Sequence, residues 1–80
     1  MTTLTAAALQ QIVNRELPDD TIEVALETRF EDAGLDSLSV LELGSALEKE
    51  LKIVLLDDDL HNCETFGDLV ALVGSRERAA

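Results

Sequence analysis

The chain has 80 residues, 46% of them hydrophobic and 2% aromatic, and it carries 17 acidic against 6 basic residues, a formal net charge of −11. This length suffices for one small domain whose core must be built from aliphatic side chains. The acidic balance argues against nucleic acid and anionic membranes as partners, since both require clustered Lys and Arg. It fits equally a partner with a basic surface or acidity that only keeps a small protein in solution.

The sequence contains a single cysteine, Cys63, and no basic segment at its N-terminus. One cysteine cannot form an internal disulfide, which favours a reducing compartment. The N-terminal stretch MTTLTAAALQQIV lacks the charged region of a signal peptide. Apolar runs such as residues 53–56 are far too short to cross a bilayer. We expect a cytoplasmic protein.

The first predicted helix covers roughly residues 4–17, where aliphatic side chains recur at helical spacing. Thr3 or Thr5 is placed to cap its start, and Pro18, with two aspartates after it, is expected to end it. The apolar positions of this helix are Leu4, Ala8, Leu9, Ile12, Val13 and Leu17.

A long connection, residues 18–36, follows the first helix. A loop of this length without a helix of its own is uncommon and is often functional. Phe30 is one of only two large rings in the chain, so we expect it in the core. Gly34 is expected to supply a turn conformation that a side chain would resist. The apolar anchors of the connection are Ile22, Val24, Leu26, Phe30 and Leu35.

The second predicted helix, residues 37–51, has the clearest apolar stripe. Its start can be capped by Asp36, Ser37 or Ser39, and Ser39 with Glu42 three residues later matches a capping box. Gly44 lies inside the helix and costs about 1 kcal/mol relative to Ala, so we expect it either to permit close packing or to leave a shallow spot. The stripe consists of Leu38, Val40, Leu41, Leu43, Leu47 and Leu51.

The C-terminal part predicts two more helices. Residues 53–56 are interpreted as a core-filling connection, because no partner strand is evident. The three acids 57–59 suit the start of a short helix, where negative charge favours the helix dipole. The last helix is predicted over 65–73, with capping spacing between Thr65 and Asp68, an end at Gly74 and a frayed tail. The fold class is therefore all-α: a small antiparallel bundle of three main helices, one short helix and a long first loop.

Few residues in this sequence could carry chemistry. With one His and one Cys, no metal cluster of these residues can be assembled, and the run Asp57–Asp59 lacks the spacing of a calcium loop. His61 is expected on the surface, and Cys63 as a small buried apolar residue. Ser37 is more interesting. Helix physics alone favours a cap, but a helix N-terminus also accommodates a phosphate ester well.

The segment GLDSL at 34–38, the acidic helix after it and the lead-in through Phe30, Asp32 and Gly34 resemble the phosphopantetheine attachment region of acyl carrier proteins. TFGDLVALV at 65–73 resembles the last helix of that family. The resemblance covers roughly residues 4–74 and implies a single acyl-carrier domain over 1–80. It also implies that Ser37 is the attachment point for 4′-phosphopantetheine, derived from coenzyme A, and that the chain carries acyl groups as thioesters without catalysing their reactions.

The resemblance further implies partners. These are a phosphopantetheinyl transferase, and a ketosynthase, an acyltransferase and tailoring enzymes with basic docking patches, which a monomeric carrier would visit in turn. No nucleic acid or membrane is expected. Lys49 stands where the family commonly has an acid, and Leu55–Leu56 replaces a common Ile-Pro pair. The recognition surface implied by the family comprises Asp36, Leu38, Leu41, Glu42, Ser45 and Glu48.

The lead-in TRFEDAGLDSL resembles carriers of bacterial polyketide synthases more than those of fatty-acid synthesis. We therefore expect a discrete polyketide carrier, with fatty-acid synthesis as the alternative. An alternative of another class is an acidic helical interaction module without a prosthetic group. A stand-alone enzyme is disfavoured, because the chain offers no pair of nucleophile and base.

Overall fold

The protein, seen in a computed structural model that describes residues 4–17 and 22–79, is built from helices. Within these residues they are α1 (Ala6–Glu16), α2 (Ser37–Leu51), the short α3 (Asp57–His61) and α4 (Phe66–Ala79). Arg29 and Thr65 form an isolated antiparallel bridge, with no longer strand in the described ranges. The predicted all-α class, with three main helices, one short helix and a long first loop, is confirmed.

Local capping explains where the helices begin. The Thr5 hydroxyl accepts a hydrogen bond from the N–H of Ala8 (3.1 Å), as one of the two predicted caps of α1. Thr65 and Asp68 form the predicted reciprocal pair at the start of α4: the Thr65 hydroxyl accepts from Asp68 N (3.0 Å), and the Asp68 carboxylate accepts from Thr65 N (3.2 Å). The predicted end of α1 at Pro18 lies outside the described residues.

One aliphatic core holds the helices together, with both phenylalanines at its centre. Phe30 and Phe66 meet edge to face, with ring centroids 5.0 Å apart, and both rings are buried as predicted for Phe30. Because Phe30 belongs to the long connection and Phe66 to α4, this pair joins the loop to the last helix. The other fully buried large side chains are Leu9, Val13, Leu43, Leu47, Leu69 and Val73.

The long connection is fixed by hydrogen bonds at both ends of its described part. The side chain of Gln10 on α1 donates to Ile22 O and accepts from Val24 N, both at 2.7 Å. Further along, Gly67 N donates to Leu26 O at 2.8 Å. A Cβ on Gly67 would lie 2.8 Å from that same carbonyl, so glycine is required for this close approach.

Three expectations for the apolar connections and helix ends need correction. Of residues 53–56 only Leu55 is buried, whereas Val54 and Leu56 are 67% and 57% exposed, so the segment does not fill the core as a whole. Leu26 is also exposed and is not an anchor. The predicted end of the last helix at Gly74 is wrong, since α4 continues to Ala79 through the segment expected to be frayed.

An ion pair gives the physical reason for the longer α4. The guanidinium of Arg76, beyond Gly74, donates to the Asp59 carboxylate on α3. This contact ties the last turns of α4 to α3, which a local glycine signal could not reveal. Among the described residues, no helix is long and apolar enough to span a membrane.

Candidate functional site

Ser37 is the first residue of α2 and follows a turn that the core holds in place. The carbonyl of buried Phe30 accepts hydrogen bonds from Ala33 N (3.1 Å) and Leu35 N (2.9 Å). Gly34 adopts a φ of +84°, the left-handed region that the sequence predicted for it. Leu35 is buried after the turn. The chain therefore enters α2 in a fixed direction, with Ser37 exposed at the helix N-terminus.

Asp36, and not Ser37, caps α2. Its carboxylate accepts a hydrogen bond from Ser39 N at 2.8 Å, so the alternative capping box of Ser39 with Glu42 is wrong and Ser39 lies within the helix. The hydrogen bonds from Ser39 lower the pKa of the Asp36 carboxyl below its ordinary value, because they favour the ionised form that caps the helix. Because Asp36 supplies the cap, the Ser37 hydroxyl has no intramolecular hydrogen bond within the described residues and is available for chemistry.

A cleft of about 250 Å³ opens beside Ser37. Gly44 lets α3 approach α2 closely at this place, because a Cβ there would lie 2.5 Å from Leu60 Cδ1. Of the two expectations for Gly44, close packing is therefore confirmed. Leu60, on α3, in turn faces the cleft. The apolar lining consists of Phe30, Leu35, Val40, Leu41 and Leu60.

The exposed residues that line the cleft form its mouth, which is mainly acidic. Its cation is Arg29, the only Lys or Arg among the described lining residues. The mouth combines an exposed hydroxyl with charges of both signs, above an apolar interior. Its members are Arg29, Glu31, Asp36, Ser37, His61 and Glu64.

Comparison with known proteins places this geometry in a family. A family model described as "Phosphopantetheine attachment site" matches residues 7–73. A Streptococcus pyogenes protein named acyl carrier protein is 39% identical over 70 residues, which cover 88% of this chain and 92% of that protein.

The chain belongs to the acyl carrier protein family.

Solved structures agree with this assignment. The 3-oxo-butyl acyl carrier protein from the actinorhodin polyketide synthase of Streptomyces coelicolor matches with a TM-score of 0.85 at 29% identity, over 99% of this chain and 96% of that chain. The actinorhodin holo acyl carrier protein of the same organism gives a TM-score of 0.83 at 31% identity, over 99% and 98%. The protein is therefore a non-catalytic carrier, and its cofactor is a covalently bound phosphopantetheine.

The site fits this group. The Ser37 hydroxyl is exposed, makes no hydrogen bond to the described residues and adjoins a cleft with apolar walls. It lies at a helix N-terminus, which accommodates a phosphate. No cluster of three or more His, Cys, Asp or Glu side chains suited to a metal is found in the part of the chain that the structure describes.

His61 and Cys63 of the carrier line the cleft with Ser37, although their sequence context gave them no role. His61 is exposed, as expected, but Cys63 is half-buried rather than buried. Its Sγ lies 3.4 Å from Asp59 O, to which the thiol donates. Burial, then the negative charges of Asp68 and Asp59, raise the pKa of the Cys63 thiol, so it is a poor nucleophile at neutral pH.

The contribution of the segment before α4 to this site was not visible in the sequence. Phe30 N donates to Glu64 O (2.9 Å), and Phe66 N donates to Thr28 O (3.2 Å). These bonds join residues more than thirty positions apart and bring Arg29 and Glu64 to the mouth of the cleft. No local pattern in either segment signals this pairing.

The residues that the family implies for partner recognition lie in different environments. Leu38 is 64% exposed, and Glu42 and Ser45 are also exposed on α2. Leu41 is half-buried and lines the cleft. Glu48 is half-buried, and its carboxylate accepts a hydrogen bond from Leu55 N at 3.3 Å, so it also holds the connection between α2 and α3.

A second groove runs between α1 and α2 and places Lys49 beside Glu42 and Ser45. On its α1 side, Arg15 forms an ion pair with Glu50 of α2 at 3.4 Å. The exposed face of α2 is thus acidic around Glu42 but carries a positive charge at Lys49. This charge distribution distinguishes the surface from a uniformly acidic one.

Proposed function

We propose that Ser37 is the residue that receives phosphopantetheine, and that the chain acts over its whole length as one domain that carries acyl groups between the enzymes of a polyketide pathway. The observation that carries this proposal is the free, exposed Ser37 hydroxyl at the start of α2, beside an apolar cleft. Phosphopantetheine, when bound, supplies a flexible arm that ends in a thiol, on which acyl groups are held as thioesters.

The chain contributes the position of the attachment point. The buried pair Phe30 and Leu35 fixes the turn before α2, and Asp36 satisfies the helix cap that Ser37 would otherwise provide. A transferase can therefore reach the hydroxyl without opening the fold. Tethering an acyl group here raises its effective concentration at a docked enzyme, which is the benefit that a carrier without catalytic groups can offer.

The exposed face of α2 is the proposed recognition surface. Asp36, Leu38, Glu42 and Ser45 lie there in solvent and can meet a basic patch with an apolar centre. This pattern suits the transferase as well as the ketosynthase, acyltransferase and tailoring enzymes. Leu41 and Glu48 belong to the same helix, but the cleft and the α2–α3 connection also use them.

Polyketide rather than fatty-acid synthesis is proposed on the strength of the structural likeness. Several forms of the actinorhodin carrier match this chain at TM-scores from 0.81 to 0.86. The similar Streptococcus pyogenes protein is named acyl carrier protein without a pathway, so fatty-acid synthesis stays the runner-up. Mass spectrometry of the acyl groups on protein from its native host separates the two: chains with carbonyls at several alternate carbons support the proposal, and saturated chains with at most a single 3-keto group would overturn it.

The attachment site is tested by incubating the protein with coenzyme A and a broad-specificity transferase. We expect a gain of one phosphopantetheine mass on the parent protein and none on Ser37→Ala. Ser75→Ala is the matched control, because it removes an exposed serine on α4, outside the proposed recognition surface, and should leave the mass gain intact. An unmodified parent chain, or a modified Ser37→Ala, would refute the assignment. Partner binding that needs no modification and survives Ser37→Ala would instead favour the interaction module.

A further inference from the structure

Arg29 is the cation among the residues that line the cleft, and it has no ion pair within the described part of the chain. By contrast, Arg15 and Arg76 both contact carboxylates. An arginine left without a carboxylate in a chain with 17 acidic residues is notable, because acids are also present in the same lining.

The backbone of Arg29 is held firmly although its side chain is exposed. It pairs with Thr65 in the isolated bridge, its carbonyl accepts a hydrogen bond from Ala33 N at 3.1 Å, and the next residue, Phe30, is buried. The Cα position is therefore fixed relative to the turn that precedes Ser37. The long side chain starts from a rigid point and can reach an anion at the mouth of the cleft.

Modification of Ser37 would place such an anion there. A phosphodiester on Ser37 carries one negative charge, and it would sit next to the Asp36 carboxylate, with Glu31 and Glu64 also at the mouth. The free N–H groups of the first turn of α2 offset part of this repulsion. A guanidinium matches the phosphate oxygens in charge and geometry, and can donate two hydrogen bonds to them at once.

We propose that the Arg29 guanidinium binds the phosphodiester formed on Ser37 and is thereby a positioning residue for the prosthetic group. The inference rests on the proposed function. Holding the phosphate on the Arg29 side of Ser37 directs the remainder of the arm along the cleft instead of leaving it to rotate freely in solvent. The contact is exposed, so it is screened at high ionic strength, where the Debye length falls to about 3 Å at 1 M salt.

The test compares the unmodified and modified protein by NMR at low salt, after mass spectrometry has verified complete modification. We expect the Arg29 Nε–Hε resonance to shift and its exchange with water to slow several-fold on modification, while the Arg15 resonance stays in place. Nuclear Overhauser contacts should join the Arg29 δ-methylene to the methyl groups of the pantoyl unit. Both effects should disappear in 1 M NaCl.

Two variants make the test specific. Arg29→Gln should abolish the contacts between this position and the pantoyl methyl groups and broaden the range of arm conformations, with amide spectra that show an intact fold. Arg15→Gln removes an exposed arginine that does not line the cleft, and it should change neither the pantoyl contacts nor the range of arm conformations. Full modification without an Arg29 shift, or pantoyl contacts that persist in Arg29→Gln, would overturn the inference alone. Absence of the mass gain would overturn the proposed function and the inference with it.

Discussion

The apolar walls of the cleft beside Ser37 predict that a bound acyl chain stabilises the fold. We consider a hexanoyl group on the modified protein, compared with the same protein carrying the free thiol. The cleft of about 250 Å³ is many times larger than the roughly 10–15 Å³ that a cavity needs to admit one water molecule, so it has room for a chain of this length.

The expected magnitude follows from the area that the chain can bury. Full burial of about five carbon groups at about 0.8 kcal/mol each would contribute roughly 4 kcal/mol. Because the cleft is open on one side, we expect about half of this free energy, or about 2 kcal/mol. For a domain of this size each kcal/mol raises Tm by about 4–8 °C, which gives an increase of roughly 8–16 °C. A chain with carbonyls at alternate carbons should give less, since buried carbonyls without partners cost free energy.

Thermal unfolding followed by circular dichroism measures this difference, and two variants locate it. Leu41→Gln alters a half-buried leucine in the cleft lining, whereas Leu38→Gln makes the same change at an exposed leucine outside it. We expect Leu41→Gln to lose at least half of the hexanoyl-dependent increase in Tm and Leu38→Gln to keep it. An unchanged Tm in the parent protein, or equal losses in both variants, would refute burial of the chain in this cleft.

Two stability predictions concern helix ends. Lys52 caps α2 in the left-handed region (φ 56°, ψ 47°), so Lys52→Gly should raise the stability by about 0.5–1 kcal/mol and Tm by a few degrees, and a lower Tm would contradict the strain argument. Backbone hydrogen bonds from Glu64 and Thr65 lower the pKa of Asp68 below its ordinary value of 3.8. Its carboxylate therefore contributes stability above about pH 4, which is lost as the pH falls through the lowered pKa. Asp68→Asn should have a lower Tm than the parent at pH 7, and the difference in Tm should become smaller towards pH 2. A difference in Tm that does not change with pH would exclude this contribution of the ionised carboxylate.

Local patterns predicted which segments are helical and where most of the helices begin, because the determining interactions lie within a few residues of one another. The bounds of α2 agree with the prediction, and so do the caps at Thr5 and at Thr65 with Asp68. The proposed attachment motif around Ser37 is likewise contiguous in the chain. Helical spacing also predicted most of the buried positions, since one face of each amphipathic helix must meet the core.

Local patterns did not predict the structure where the same residues were compatible with more than one arrangement. Asp36, Ser37 and Ser39 all suit an N-cap, and only the backbone geometry assigned the role to Asp36. Gly74 suits a helix end, but the ion pair of Arg76 with Asp59 stabilises further turns of α4. In the connections, apolar character alone could not distinguish the buried Leu55 from the exposed Val54.

The sequence by itself determined the helical class, the position of Ser37 and the acidic surface. Only the tertiary structure decided what surrounds that serine. The cleft depends on the approach of α3 to α2 at Gly44 and on hydrogen bonds between the first loop and the segment before α4, such as that from Phe30 N to Glu64 O. These contacts join residues far apart in the chain. The packing of the whole core determines which of these residues meet. The position of Arg29 at the mouth of the cleft therefore could not be predicted from the local sequence.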